Sequence, residues 1–294
     1  MRRVALLALT ALAVAATASA SASPQPPGKQ RLLSTYAPIL VLHPDERFHP
    51  ETVDGYLADS DLVGGHYDQR LCRALDGPAA IECYASADAA HDAPPTVYAA
   101  AFENGDRTVL EYWLFYPFDL YSVSDPPDEF WQDHEADWES VAVVLDTTTP
   151  AKPKPLLVGG SRHCSGARRD WARVERRGTH PVVYVALGSH ANYFAPGEIP
   201  LDRSCWPPVA RAVFKAYGVP LRDHVAAGQI LTPALVPISA AEPSWMTFTG
   251  KWGEAQYVHF PKNAPFAYGY GPTGPASHAL WRNPLPTVLA WPRG

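Results

Sequence analysis

The densest chemistry in this chain lies at Trp131-Gln132-Asp133-His134-Glu135-Ala136-Asp137-Trp138-Glu139, which runs directly into the apolar Ser140-Val-Ala-Val-Val-Leu145. On a strand, Asp137, Glu139, Val141, Val143 and Leu145 share one face, and Trp138, Ala142 and Val144 share the other. Asp137 and Glu139 then project side by side, roughly 7 Å apart at their Cα atoms, so their carboxylates can converge on one cation. His134 has the opposite parity and points away on a continuous strand. A strand that begins only at about Asp137 frees the preceding loop to bring it round. His134, Asp137 and Glu139 are the candidate metal set. Oxygen-rich ligation favours Ca²⁺, Mg²⁺ or Mn²⁺, and the imidazole admits Zn²⁺. The plainer alternative is a solvated acidic strand end with Trp138 in the core. This is not the zinc-protease helix, because Trp138 stands where that motif needs its second histidine.

A second cluster is His180-Pro-Val-Val-Tyr-Val-Ala-Leu187-Gly188-Ser189-His190. An apolar strand ends in a Gly-Ser turn that presents His190 at the rim of the sheet, as a further ligand, a proton shuttle or a turn cap. A serine-hydrolase reading is poor, since there is no G-x-S-x-G elbow and Ser189 and His190 are adjacent. His43, His163 and His180 add to a histidine-rich rim. The segment Ser161 to Gly166 reads as a disulfide-anchored loop. Glycine and aromatic turns at Trp245 to Gly253 and Tyr268 to Pro272 line a pocket or close the fold, closure being preferred.

These groups need a scaffold, and the strand signals supply one. Tyr36 to Leu42, Thr96 to Phe102, Thr108 to Tyr116, Trp138 to Leu145, Pro155 to Gly159 and Pro181 to Leu187 read as strands, with Gln256 to Phe260 and Thr287 to Trp291 as two more. Asn104-Gly105 marks a hairpin between the second and third. Helix signals are few: Pro208 to Tyr217, stopped by Gly218, and short turns at Ser34 to Pro38 and Glu51 to Leu57. The fold class is mainly β: a single-domain β-sandwich over residues 35–294, with long loops and one or two short helices.

Four cysteines, an even number, suit two disulfides in an oxidising compartment. The turn at Asp76-Gly77-Pro78 is expected to bring two flanking strands together, which favours Cys72–Cys83 and hence Cys164–Cys205. Residues 1–22 read as a secretory signal peptide, with Arg2 and Arg3 before an apolar stretch too short to span a bilayer. Residues 23–34 read as a flexible, Pro-rich leader. The chain carries 24 basic and 30 acidic residues, net −6, with no basic stripe, which argues against a nucleic-acid partner. After signal removal no run of apolar residues is long enough for a transmembrane helix. The expected location is extracellular.

Three motifs in order carry a resemblance: Tyr36-Ala-Pro with Leu42-His-Pro-Asp-Glu46 and Phe48-His-Pro50; His134-Glu-Ala-Asp-Trp-Glu139; and Val183-Tyr-Val-Ala-Leu-Gly-Ser-His-Ala-Asn-Tyr193. Together they resemble the vacuolar protein sorting-associated protein 62 family from about Tyr36 to Trp281, a family that implies no established reaction. More distantly, Tyr112-Trp-Leu-Phe-Tyr-Pro117 followed by His134-x-x-Asp137-Trp138-Glu139 is similar to the necrosis-inducing (necrosis- and ethylene-inducing peptide-like) proteins, secreted β-sandwich cytolysins. That resemblance implies a divalent cation at His134, Asp137 and Glu139 that engages glycosylated sphingolipid headgroups. It departs at Asp133, Glu135 and Ala136, which replace the glycine, arginine and second histidine of that family's motif. A further aspartate ligand is implied upstream, with Asp125 and Asp128 as candidates.

Two functions from different classes follow, with a third alternative. One is a secreted binding module whose rim cation captures a glycan or glycolipid headgroup. Another is a metal-dependent hydrolase using the same ligands, with His190 or His134 moving protons. The third makes the cation a purely structural staple. The absence of a placed nucleophile or dedicated general base favours the binding module.

Overall fold

A computed structural model describes residues 27–75, 77–122, 131–201, 203–206, 208–216, 218, 221–259 and 266–294. The expected signal peptide, Asp76, Asp125 and Asp128 lie outside the described residues. Two sheets form a β-sandwich. The larger is built on a long antiparallel pair, Arg107–Ser122 against Trp131–Asp146, in unbroken register from Arg107↔Asp146 to Ser122↔Trp131. Thr96–Asn104 flanks this pair on one side. On the other, Ala255–His259 pairs with the N-terminal half of Trp131–Asp146 and Lys154–Arg162 with its C-terminal half. In the smaller sheet Ile39–Leu42 and His180–Val185 run parallel, Leu42 beside Val185. Parallel strands end at the same edge, so the segments that follow them, carrying Glu46 and His190, arrive at one place.

Alternation fills the space between the sheets. Leu40, Leu42, Val183 and Val185 meet Tyr112, Leu114, Tyr116, Val141, Val143 and Leu145, all buried. The opposite face of the large sheet is equally apolar, with Trp113, Phe115, Trp138, Ala142 and Val144 under Tyr56, Trp245, Trp252, Leu280 and Val288. Strands buried on both faces explain why the long pair reads as an almost continuous apolar run.

Several expectations are corrected. Thr287 to Trp291 is not a strand: Pro284–Ala290 is a helix, with proline at its first turn and the Thr287 hydroxyl donating to the Ala279 carbonyl at 3.1 Å. The residues after Gly77-Pro78 do not form a strand either. Gly77–His91 is a 15-residue helix carrying Cys83, whose N-terminus is closed by Gly77 N–H donating to the Asp133 carboxylate. Instead of one or two helices, six occur among the described residues. The leader ends in one of them, Pro27–Thr35, anchored by buried Leu33. The hairpin at Gly105 and the helix Pro208–Ala216 stand where expected. Both disulfides pair as expected, Cys72–Cys83 and Cys164–Cys205.

Gly188 fixes the turn that carries His190. Its φ is +71°, and a Cβ there would lie 1.9 Å from the Leu120 carbonyl oxygen on the long strand. Gly188→Ala is therefore expected to destabilise the fold by about 2–4 kcal/mol, the range of substitutions that force backbone strain and a clash. Urea unfolding followed by tryptophan fluorescence measures this, and a loss below about 0.5 kcal/mol would show that the turn has room to move.

Candidate metal-binding pocket

The strand that carries the site does not begin at Asp137, as the parity of His134 suggested. It runs through from Trp131, and the face changes inside it. Ala136 is left-handed, φ +55°, opposite Pro117, which has no N–H to give to the ladder. Strict alternation would leave the paired Asp119 and His134 on the face opposite Asp137 and Glu139. The backbone reversal at Ala136 lets all four line one cavity of about 290 Å³. Asp133 and Glu135 turn elsewhere, Glu135 accepting from Gln69 N–H at 2.6 Å and Glu254 N–H at 2.9 Å.

Asp119, Asp137 and Glu139 are all buried. Asp119, Asp137 and His190 each offer a ligand atom within 4.8 Å of the others. Burial pushes Asp119 up to about 7, against the pull of His134. Burial, then the charge of Asp137, holds Glu139 well above the usual carboxylate range, although the Ser161 hydroxyl donates to it. Carboxylates this crowded and dry call for protons or a cation.

His190 is fully buried, not at the rim as expected. Its ring stacks on Tyr116, centroids 3.8 Å apart. Nδ1 lies 3.0 Å from Asp137 and Nε2 3.6 Å from Glu46. Burial opposes its charge, but Glu46 and Asp137 outweigh that and push it up to about 10. His190 is thus hydrogen-bonded to Asp137, and it is the imidazole whose ligand atom lies close to those of Asp119 and Asp137. Glu46 is held below its ordinary value, since His190 and the N–H groups of Gly188 and Phe48 outweigh its burial.

The Nδ1 of His134 sits 2.6 Å from the Ala136 carbonyl, an acceptor, so Nδ1 carries a hydrogen, and in the neutral ring Nε2 holds the lone pair. That Nε2 faces Asp119 at 3.8 Å. The left-handed Ala136 thus both brings His134 to the cavity and fixes its tautomer. Asp119, Asp137 and His190 are the residues whose ligand atoms converge, while Glu139 and His134 line the same cavity, an oxygen-rich surrounding that suits a hard divalent cation. Asp119 was not singled out in the sequence; its signal was the hairpin register placing it opposite His134.

The remaining histidines separate. His163 lines the cavity and pairs with Asp223 at 2.9 Å; burial opposes its charge, but Asp223 pushes it up to about 9. Asp223 also accepts from the Ser189 hydroxyl at 2.8 Å. His180 contacts the carbonyl of Ala37, just ahead of the neighbouring strand Ile39–Leu42, while His43 accepts from the Asp45 N–H in a local turn. Both cysteines of the second disulfide line the cavity, as does Pro272. Trp245 and Trp252 close the core instead.

A scan against known protein-family models finds no match to this chain. The vacuolar protein sorting-associated protein TDA6 of Saccharomyces cerevisiae is 25% identical over 222 residues, 61% of this chain and 44% of that protein, so the chain spans less than half the length of that relative. Among solved structures, a toxin fold for microbial attack and plant defense aligns at a TM-score of 0.40 with 18% identity, covering 76% of this chain and 82% of that one. NLPPya in complex with glucosamine aligns at 0.41 with 17% identity, covering 80% and 89%. Necrosis and Ethylene inducing Protein 2 from the agent of cocoa's Witches Broom disease aligns at 0.35 with 16% identity, covering 75% and 76%. These similarities fall in both families that the sequence motifs resemble.

The crowded carboxylates give a pH signature. Asp119 titrates near its usual 3.8 when unfolded and at about 7 when folded, so between those values the folded chain holds the extra proton and stability falls as pH rises. His190, raised from 6.5 to about 10, extends the fall at higher pH. In chelator, the melting temperature is expected to drop steadily from pH 5 to pH 8, and Asp119→Asn to flatten the first part of that slope. A rising or flat wild-type profile would contradict this arrangement.

Proposed function

We propose that this is a secreted divalent-cation-binding β-sandwich protein that captures a glycan or glycolipid headgroup through a cation held at the edge of the large sheet. The observation that carries the reading is the convergence of buried Asp119 and Asp137 in a cavity large enough for a cation and part of a ligand. Asp119, Asp137, Glu139 and His134 Nε2 would hold the ion. It would supply a positive centre on which vicinal hydroxyls displace water, a role suited to Ca²⁺, Mg²⁺ or Mn²⁺. His190, clamped between Glu46 and Asp137, keeps the Asp137 carboxylate aimed into the cavity. The resemblance of His134-x-x-Asp137-Trp138-Glu139 to the necrosis-inducing proteins supports the headgroup. Export is supported by the Arg-led apolar N-terminus and by two disulfides. No helix among the described residues is long and apolar enough to cross a membrane.

Elemental mass spectrometry on the purified mature chain tests the site. One equivalent of a divalent metal is expected in the wild type, with Asp137→Asn and Asp119→Asn each binding it at least tenfold more weakly. A saturating cation at a hundred times its dissociation constant should add about 2.7 kcal/mol of stability to the wild type and almost none to the variants. Capture on glycolipid-bearing vesicles should require the same ion and vanish in EDTA. Unchanged metal content in both variants, with the fold intact, would remove the basis of the proposal.

A further inference from the structure

Behind Glu139 lies a second chamber, of about 300 Å³, on the side of the sheet covered by the C-terminal helices. It shares Trp138, Glu139, His163, Cys164 and His278 with the cation cavity, so the two are neighbours across common walls. Its other walls include the indoles of Trp113 and Trp291, the aliphatic Ala279 and Leu280, and the hydroxyl oxygens of Ser161, Ser165 and Thr287, which can accept hydrogen bonds. No lysine or arginine is among its described lining residues, and the charge of His163 is matched by Asp223.

We propose that this chamber is a binding subsite for one neutral pyranose ring, on the far side of Glu139 from the cation. The inference rests on the reading of the Glu139 pocket as ligand-binding. Wall chemistry chooses the ligand class. A sugar ring presents C–H faces to indoles and hydroxyls at its edge, while an anionic group would meet Glu139 with no basic side chain to offset it. Volume chooses the size: about 300 Å³ stands at the lower end of small-molecule sites and admits one ring, not an oligosaccharide. Unspent bonding capacity supports a polar guest. Trp138, a wall of both chambers, has a buried indole N–H with no acceptor among the described residues. Such a donor costs stability unless something accepts from it.

The chamber is also held in shape without a ligand. The Trp291 indole lies on the backbone at Gly159 and Gly166, where an added Cβ would sit 2.7 Å and 2.4 Å from the ring. The carbonyl of Trp291 accepts from Arg168 Nε at 2.9 Å, and that of Pro292 from Arg168 N–H at 2.9 Å. A wall fixed in this way needs no ordering when a ring arrives, which lowers the cost of binding.

The test is titration of the full mature chain with methyl α- and β-pyranosides of glucose, galactose and mannose, read by the indole N–H signals in two-dimensional NMR, with saturating Ca²⁺ and again in EDTA. At least one pyranoside is expected to shift the Trp138 and Trp291 signals, assigned with Trp291→Phe. Thr287→Phe, which fills the chamber from its helix, should weaken that pyranoside at least tenfold while leaving metal content at the wild-type value. Glucose 6-phosphate should bind at least tenfold more weakly than the neutral ring. Pyranoside binding that is lost in Asp137→Asn but untouched by Thr287→Phe would place the sugar in the cation cavity and overturn the subsite. Absence of any shift up to 50 mM, on the order of the weakest useful sugar contacts, would overturn it equally. Binding that survives EDTA and Asp137→Asn but is lost in Thr287→Phe would support the subsite while the cation reading fails.

Discussion

One residue with its backbone turned to the left-handed region governs the site. Ala136 interrupts the alternation of a 16-residue strand without breaking its register, because Pro117 opposite it has no N–H to misplace. Non-glycine residues avoid that conformation at a cost of about 1–2 kcal/mol, and the surrounding ladder holds it here. In return, three acidic positions and a histidine that alternation would divide between two faces come to share one cavity. The same reversal aims the Ala136 carbonyl at His134 Nδ1 and so decides which histidine nitrogen is free.

The second governing feature is the crowding of negative charge that this hinge creates. Asp119, Asp137 and Glu139 are buried together, and the two histidines pushed up beside them are engaged elsewhere as well, His190 with Asp137 and Glu46 and His163 with Asp223. Charged groups in a poorly solvated site resist ionisation until a counter-charge arrives. The molecule keeps such a cluster only because rigid elements surround it: the long hairpin beneath, the parallel pair that delivers Glu46 and His190, and the Cys164–Cys205 disulfide at the rim. Gly188, pressed against the Leu120 carbonyl, locks the last of these approaches. Stability given up at the carboxylates is therefore recovered by the two apolar faces of the sheet, where tryptophan and β-branched residues pack without interruption.

Beyond the carboxylates, the large sheet has two usable sides. Glu139 stands between a cavity of acids and imidazoles and a chamber of indoles and hydroxyls, which makes it the one acidic group common to both. That position gives a physical route by which a cation and an uncharged ring could be held by neighbouring walls of one fold.

What the sequence determined by itself was everything governed by local period and local chemistry. Alternation at Trp138 to Leu145 and Thr108 to Tyr116 gave the strands and the sandwich. Asn104-Gly105 gave the hairpin, and the even cysteine count gave two disulfides, whereas the pairing of Cys72 with Cys83 came from a turn between two expected strands, the second of which is the Gly77–His91 helix. Carboxylates two apart on a strand identified Asp137 and Glu139. What the sequence left open was set by contacts distant along the chain. The Gly77–His91 helix was hidden because Gly-Pro reads as a turn until Asp133, 56 residues away, caps it. Thr287 to Trp291 reads as strand until Val288, within the helix Pro284–Ala290, is buried against the sheet. Asp119 joins the site only through the hairpin register, and His190 leaves the rim only because Tyr116 and two carboxylates enclose it. Above all, no local pattern announces a left-handed alanine. Its strain is tolerated only inside the finished ladder, so the assembly of the acidic pocket was decided by tertiary structure.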